Sequence, residues 1–105
     1  MIISPQEIVK KVEEYYGFST GALIDKDRSS TLAEARQTAM YLCHKYTLRS
    51  FVEIGDVLHR HHSTVIHGIR NVKKKLESDL EYRSRVEEIA HKTIPPTTNK
   101  LIITV

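Results

Sequence analysis

Apolar residues recur along most of this chain at three- and four-residue intervals, the period of a helix lying on a core. The first such element opens at Ser4, Pro5 and Glu7, which read as an N-cap, a proline at the first helical position and an acid completing a capping box. Ile8, Val12, Tyr15 and Tyr16 follow on one face, and Gly17 stops the helix. A turn-rich stretch runs from Gly17 to Ser30, its piece from Thr20 to Ile24 able to form a single helical turn. From Thr31 to about Tyr46, Leu32, Ala35, Ala39, Leu42, Cys43 and Tyr46 define a long amphipathic helix, with Arg36, Gln37 and His44 on its other side.

A short helix is predicted from Ser50 to Leu58, capped by Ser50 and burying Phe51, Ile54 and Leu58. The four polar residues His59 to His62 make a turn. The next helix, Ser63 to Ser78 with Ser63 as its cap, buries Val65, Ile69, Val72 and Leu76. It leaves Ser63, Thr64, His67, Gly68, Arg70, Asn71, Lys73 and Lys74 outward. A last helix, Asp79 to Lys92, docks through Leu80, Val86, Ile89 and Ala90 and ends before Pro95 and Pro96. The pattern predicts an all-α domain of about five to six helices over residues 1–92 and a mobile tail over 93–105.

Composition adds little to this picture: 105 residues, 40% hydrophobic and 28% charged, suit one soluble domain. No apolar run reaches the ~20 residues of a membrane span, and the first residues do not resemble a secretory signal. Cys43, the lone cysteine, reads as a small core residue of a cytoplasmic protein. Charge distribution says more. The overall net charge is +3, but residues 26–75 carry ten Lys or Arg against four acids, a net of +6, between flanks of −2 and −1. That concentration is the footprint of a phosphate-binding surface.

Two helices joined by a tight polar turn form a helix-turn-helix over about residues 50–77. The second helix opens with His62, Ser63 and Thr64 and carries no acid from Ser63 through Lys75. Helices that enter the major groove read base edges with their first residues while flanking cations hold phosphates. An acid on that face would repel the duplex.

The segments from Ala33 to Cys43, Glu53-Ile-Gly-Asp56, and His62 to Arg70 resemble the C-terminal DNA-binding domain of the bacterial replication initiator DnaA. The likeness runs from about Ile8 to Leu76, and it implies a Trp-repressor-like helix-turn-helix that binds double-stranded DNA at replication origins or regulates their use. It implies that Arg28 enters the minor groove and that His61, His62, Ser63, Thr64 and His67 contact bases. Arg36, Gln37, His44 and Arg60 then contact phosphates. The family's turn reads Gly-Gly-Arg-Asp, whereas His59-Arg60-His61 is one residue shorter and replaces the acid that accepts from a base amino group. The base preferred there is therefore expected to differ from that of the family's DnaA box. No phosphate-binding Gly-Lys-Ser/Thr loop of an ATPase is present. The start at Met1 and the unfamiliar tail lead to the expectation of a free-standing, DnaA-like domain, monomeric on DNA and in contact with other replication proteins.

Other chemistries fit less well. Four of the six histidines lie in His59 to His67, but adjacent residues at a helix start diverge and no Asp, Glu or Cys lies among them, so no metal or cofactor is expected. A nuclease would need a carboxylate cluster, and only Glu53 and Asp56 are near. No enzymatic activity is expected. The alternatives are a module that antagonises an initiator through its acidic first and last helices, and a transcriptional regulator.

Overall fold

The computed structural model describes residues 3–27 and 29–94; Arg28 and residues 95–105 of the predicted tail lie outside them, whereas the first two residues of that tail, Thr93 and Ile94, are buried at the end of the last helix. Five helices follow one another, α1 (Pro5–Tyr16), α2 (Ser30–Tyr46), α3 (Phe51–Leu58), α4 (His62–Ser78) and α5 (Leu80–Thr93), with no strand among the described residues. The all-α reading and the helix-turn-helix corner are both present.

Each helix begins and ends for a local reason. Glu7 N–H donates to Ser4 Oγ at 3.2 Å, but the Glu7 carboxylate meets the Ser4 hydroxyl rather than the Ser4 N–H, so the expected capping box of α1 is half formed. Gly17 closes α1 in the left-handed region at φ 77°. The complete capping box lies at α3, where Ser50 and Glu53 exchange bonds of 3.1 Å. Such an exchange satisfies two orphan N–H groups of the first turn.

Helix α2 is the spine, packing against α1, α3 and α4. Its Ala35, Ala39, Leu42 and Cys43 are fully buried with Ile8 and Val12 of α1, Ile54 and Leu58 of α3, Val65 and Val72 of α4 and Ile89 of α5. Burial pushes the Cys43 thiol up to about 12. Glu34 joins four helices: it accepts from Tyr16 Oη at 2.7 Å and from Lys75 Nζ at 3.2 Å. Arg85 Nη2 donates to its Oε1 at 3.4 Å, while Arg85 Nε lies 3.2 Å from Oε2 but off the hydrogen-bond axis.

Four packing expectations need correction. Gly68, read as outward, is buried where α4 crosses α2; an added Cβ would meet Met40 Sδ at 2.7 Å. Leu80, read as a docking residue, is 73% exposed, and Tyr82 takes that role, fully buried with its hydroxyl 2.6 Å from Thr38 Oγ1. Phe51 and Leu76 are only half-buried. The first residue of α4 is His62, so the turn is His59 to His61.

Candidate nucleic-acid interface

The corner between α3 and α4 is closed by backbone. His59 adopts the left-handed conformation at φ 54°, and Arg60 N–H donates to Gly55 O at 2.8 Å. A β-carbon on Gly55 would run into the Arg60 carbonyl oxygen, so only glycine lets the turn come this close. The chain then enters α4 with His61 as N-cap: Ser63 N–H donates to His61 Nδ1 at 3.2 Å, and Ser63 Oγ lies 2.8 Å from the same nitrogen. The cap is therefore His61 and not Ser63, because the helix starts one residue earlier than its sequence pattern indicates. A helix N-terminus presents unpaired N–H groups and a positive dipole end, which suit anions.

His61, His62, Ser63 and Thr64 are all exposed, as are His67, Arg70, Asn71, Lys73 and Lys74 further along α4. The His61 and His62 rings lie 4.2 Å apart, centroid to centroid. Buried Val65, Gly68, Ile69 and Val72 seat the opposite side of the helix on the core. The first turn is thus held by packing while its polar side chains stay exposed.

A second element is drawn to this turn. Three charged side chains grip the loop between α1 and α2. Glu13, only 3% exposed, accepts from the backbone N–H groups of Gly21 at 3.0 Å and Leu23 at 3.1 Å. Arg36 Nε donates to Leu23 O at 2.8 Å, and its Nη2 donates to Asp25 O and Asp27 O at 3.0 and 3.2 Å. From the corner, Arg60 Nη1 donates to Ile24 O at 3.3 Å and Nη2 to Asp25 O at 2.7 Å. Asp25 O therefore receives both guanidinium groups. Burial first, and the neighbouring Arg60 charge second, hold Arg36 below the usual arginine value; Asp27 and Asp25 oppose this. The loop leading to residue 28 is consequently tied to the turn that starts α4.

The expected site residues are not all placed alike. His61, His62, Ser63, Thr64 and His67 share the exposed surface of α4's first two turns. Arg36, expected along phosphates, is 8% exposed, and the Nε and Nη2 donors of its guanidinium are taken by loop carbonyls. Arg60 is half-buried and similarly engaged, also reaching Leu58 O at 3.0 Å and His59 O at 3.2 Å. Gln37 is half-buried beside Gly68, and His44 is exposed with its ring stacked on Phe51 at 5.1 Å. Burial first and the Lys73 charge second hold His44 below the usual histidine value. Two groups that build the site escaped the sequence reading: Glu13, whose one signal is an acid beside the apolar stripe of α1, and His61 acting as a cap. Among the described residues no three His, Cys, Asp or Glu side chains converge as a metal site, and no helix is long and apolar enough to cross a membrane.

The sequence that forms this arrangement matches a known family. The family model for the bacterial dnaA protein helix-turn-helix matches residues 5–72. The chain is 39% identical over 77 residues to chromosomal replication initiator protein DnaA 1 of Chlamydia pneumoniae, covering 73% of this chain and 17% of that protein. It is 36% identical over 89 residues to the DnaA of Lachnoclostridium phytofermentans, covering 84% and 20%. To DnaA 2 of Chlamydia caviae it is 41% identical over 75 residues, covering 71% and 16%. The chain thus spans about a fifth or less of the length of these initiators. A match across most of the described helices, with the closed corner and the exposed start of α4 inside it, places this chain in the bacterial DnaA helix-turn-helix family.

Proposed function

We infer that this chain binds double-stranded DNA sequence-specifically, at sites related to DnaA boxes, and acts in replication-origin binding or its regulation. The observation that carries this reading is the start of α4. Four consecutive polar side chains, His61 to Thr64, stand exposed at the start of a helix that carries no acid from Ser63 through Lys75 and whose other side is locked to the core. Helices held in this way enter the major groove with their N-terminal residues at base edges. In this reading Thr64 and Ser63 contact base edges or thymine methyl groups, with His61, His62 and His67 beside them. Gln37 and His44 meet phosphate, and Arg28 enters the minor groove. Arg36 and Arg60 act one step back, as struts that hold the loop from Leu23 to Asp27 against the corner; their bonds to loop carbonyls support that assignment over phosphate contact.

The test is binding to random and to selected duplexes as salt is raised. If each phosphate contact releases close to one counterion, affinity for random duplex falls steeply from 50 to 200 mM salt. A flat response removes the phosphate surface from the account and favours a protein-interaction module.

A further inference from the structure

We propose that His61 sets base preference at one position of the bound site by presenting a hydrogen-bond donor, so that it selects an acceptor edge, guanine first, and rejects the amino edge of cytosine. The proposal rests on the duplex-binding reading and deepens it. A backbone N–H can only donate, so the 3.2 Å bond from Ser63 N–H makes His61 Nδ1 an acceptor. A neutral imidazole that accepts at one nitrogen carries its proton on the other. The ring's free nitrogen, Nε2, is therefore an N–H. Ser63 Oγ, 2.8 Å from Nδ1, then shares the same lone pair as a second donor.

The opposite tautomer keeps only one of these two contacts. Its Nδ1–H would donate to Ser63 Oγ but would face the Ser63 N–H head on, beside the positive end of the α4 dipole. The N-cap thus fixes the polarity of an exposed side chain at the start of α4. In the major groove guanine offers two acceptors, N7 and O6, whereas cytosine offers only its N4 amino donor. A carboxylate at the same position would cap the helix equally well but could only accept, and so would choose cytosine or adenine. Capping and reading are combined in one residue, and the chemistry of the cap decides what is read.

Two measurements on the full chain test this. In nitrogen-15 NMR of the free protein near pH 8, the His61 ring shows an unprotonated Nδ1 and a protonated Nε2; a ring with its proton on Nδ1 overturns the proposal. In selection from a random duplex library, the parent favours guanine over cytosine by about fivefold at one position. His61→Asn keeps that preference, since its Oδ1 caps the helix while its amide N–H₂ points outward. His61→Asp reverses it toward cytosine or adenine, with the other positions unchanged. If both variants and the parent bind duplex with equal salt dependence and select identical sites, His61 does not set the preference and only this inference falls. If the parent binds no duplex, the underlying reading fails and takes this inference with it.

Discussion

Gly55→Ala is the most informative change to the corner because two opposing terms can be weighed. Alanine is the better helix former, favouring the variant by about 0.8–1.0 kcal/mol in an ordinary helix. Here, however, the added methyl would overlap the Arg60 carbonyl oxygen and come within 3.4 Å of the Arg60 carbonyl carbon and 3.5 Å of Val65 Cγ2. The obstacle is backbone, pinned by the 2.8 Å bond from Arg60 N–H to Gly55 O and by the left-handed His59, so it cannot swing aside. Overpacking of this kind costs about 1–3 kcal/mol, and breaking the corner hydrogen bond adds about 1 kcal/mol. The net expectation is a destabilisation of about 1–3 kcal/mol. Gly68→Ala is the matched control. Its methyl would meet Met40 Sδ at 2.7 Å and Gln37 Cγ at 3.3 Å, both on flexible side chains, so adjustment offsets much of the clash. Urea denaturation followed by helical circular dichroism reads the two midpoints side by side. Gly55→Ala should unfold at lower urea than Gly68→Ala and should lose specific DNA affinity as α4 shifts. A Gly55→Ala protein as stable as the parent, or less affected than Gly68→Ala, would refute the close-approach argument.

Three further predictions concern the struts and the core. Arg36→Lys should fail to replace arginine, because an ammonium cannot span the carbonyls of Leu23, Asp25 and Asp27; a loss of about 1–3 kcal/mol in urea denaturation is expected, and full rescue by lysine would contradict the strut role. Burial alone would raise the Glu34 carboxyl, but the bond from Tyr16, then Lys75 and Arg85, outweigh it and hold it below its ordinary value of 4.5. Its contribution is therefore complete above pH 4.5 and is lost as pH falls through the lower folded value. Glu34→Gln should accordingly flatten the acid limb of the stability curve, and an unchanged limb would count against the network. Cys43, with its thiol pushed up to about 12 by burial, should react with alkylating reagents only as fast as the fold opens; rapid labelling of native protein would show the core to be looser than described.

Much of this was legible in the chain because period and capping agree. The apolar spacing of Leu32, Ala35, Ala39, Leu42 and Cys43 specifies α2, and the cap at Ser50 starts α3. Errors arose where tertiary contact overrides the local pattern. Gly68 has no side chain to mark it as buried, and only the crossing of α2 places it inside. Leu80 sits at the start of α5, where its side chain points to solvent, while Tyr82 is buried with its hydroxyl paired to Thr38 Oγ1. The polar site was legible in part: the exposed first turn follows from the helix-turn-helix pattern. The turning of Arg36 and Arg60 inward did not follow, because which way an arginine points depends on carbonyls of a loop far away in sequence. Histidine is an uncommon cap, so the role of His61 at α4 had no propensity signal.

The central claim is that α4 reads base edges with its first turn, and the most direct measurement is titration of labelled duplexes with the parent and Ser63→Ala/Thr64→Ala proteins. A site selected by the parent and a scrambled duplex are compared at one salt concentration. The double variant should bind the scrambled duplex as the parent does while losing about 1–3 kcal/mol of discrimination for the selected site. Undiminished discrimination in that variant would mean that sequence is read elsewhere on the molecule.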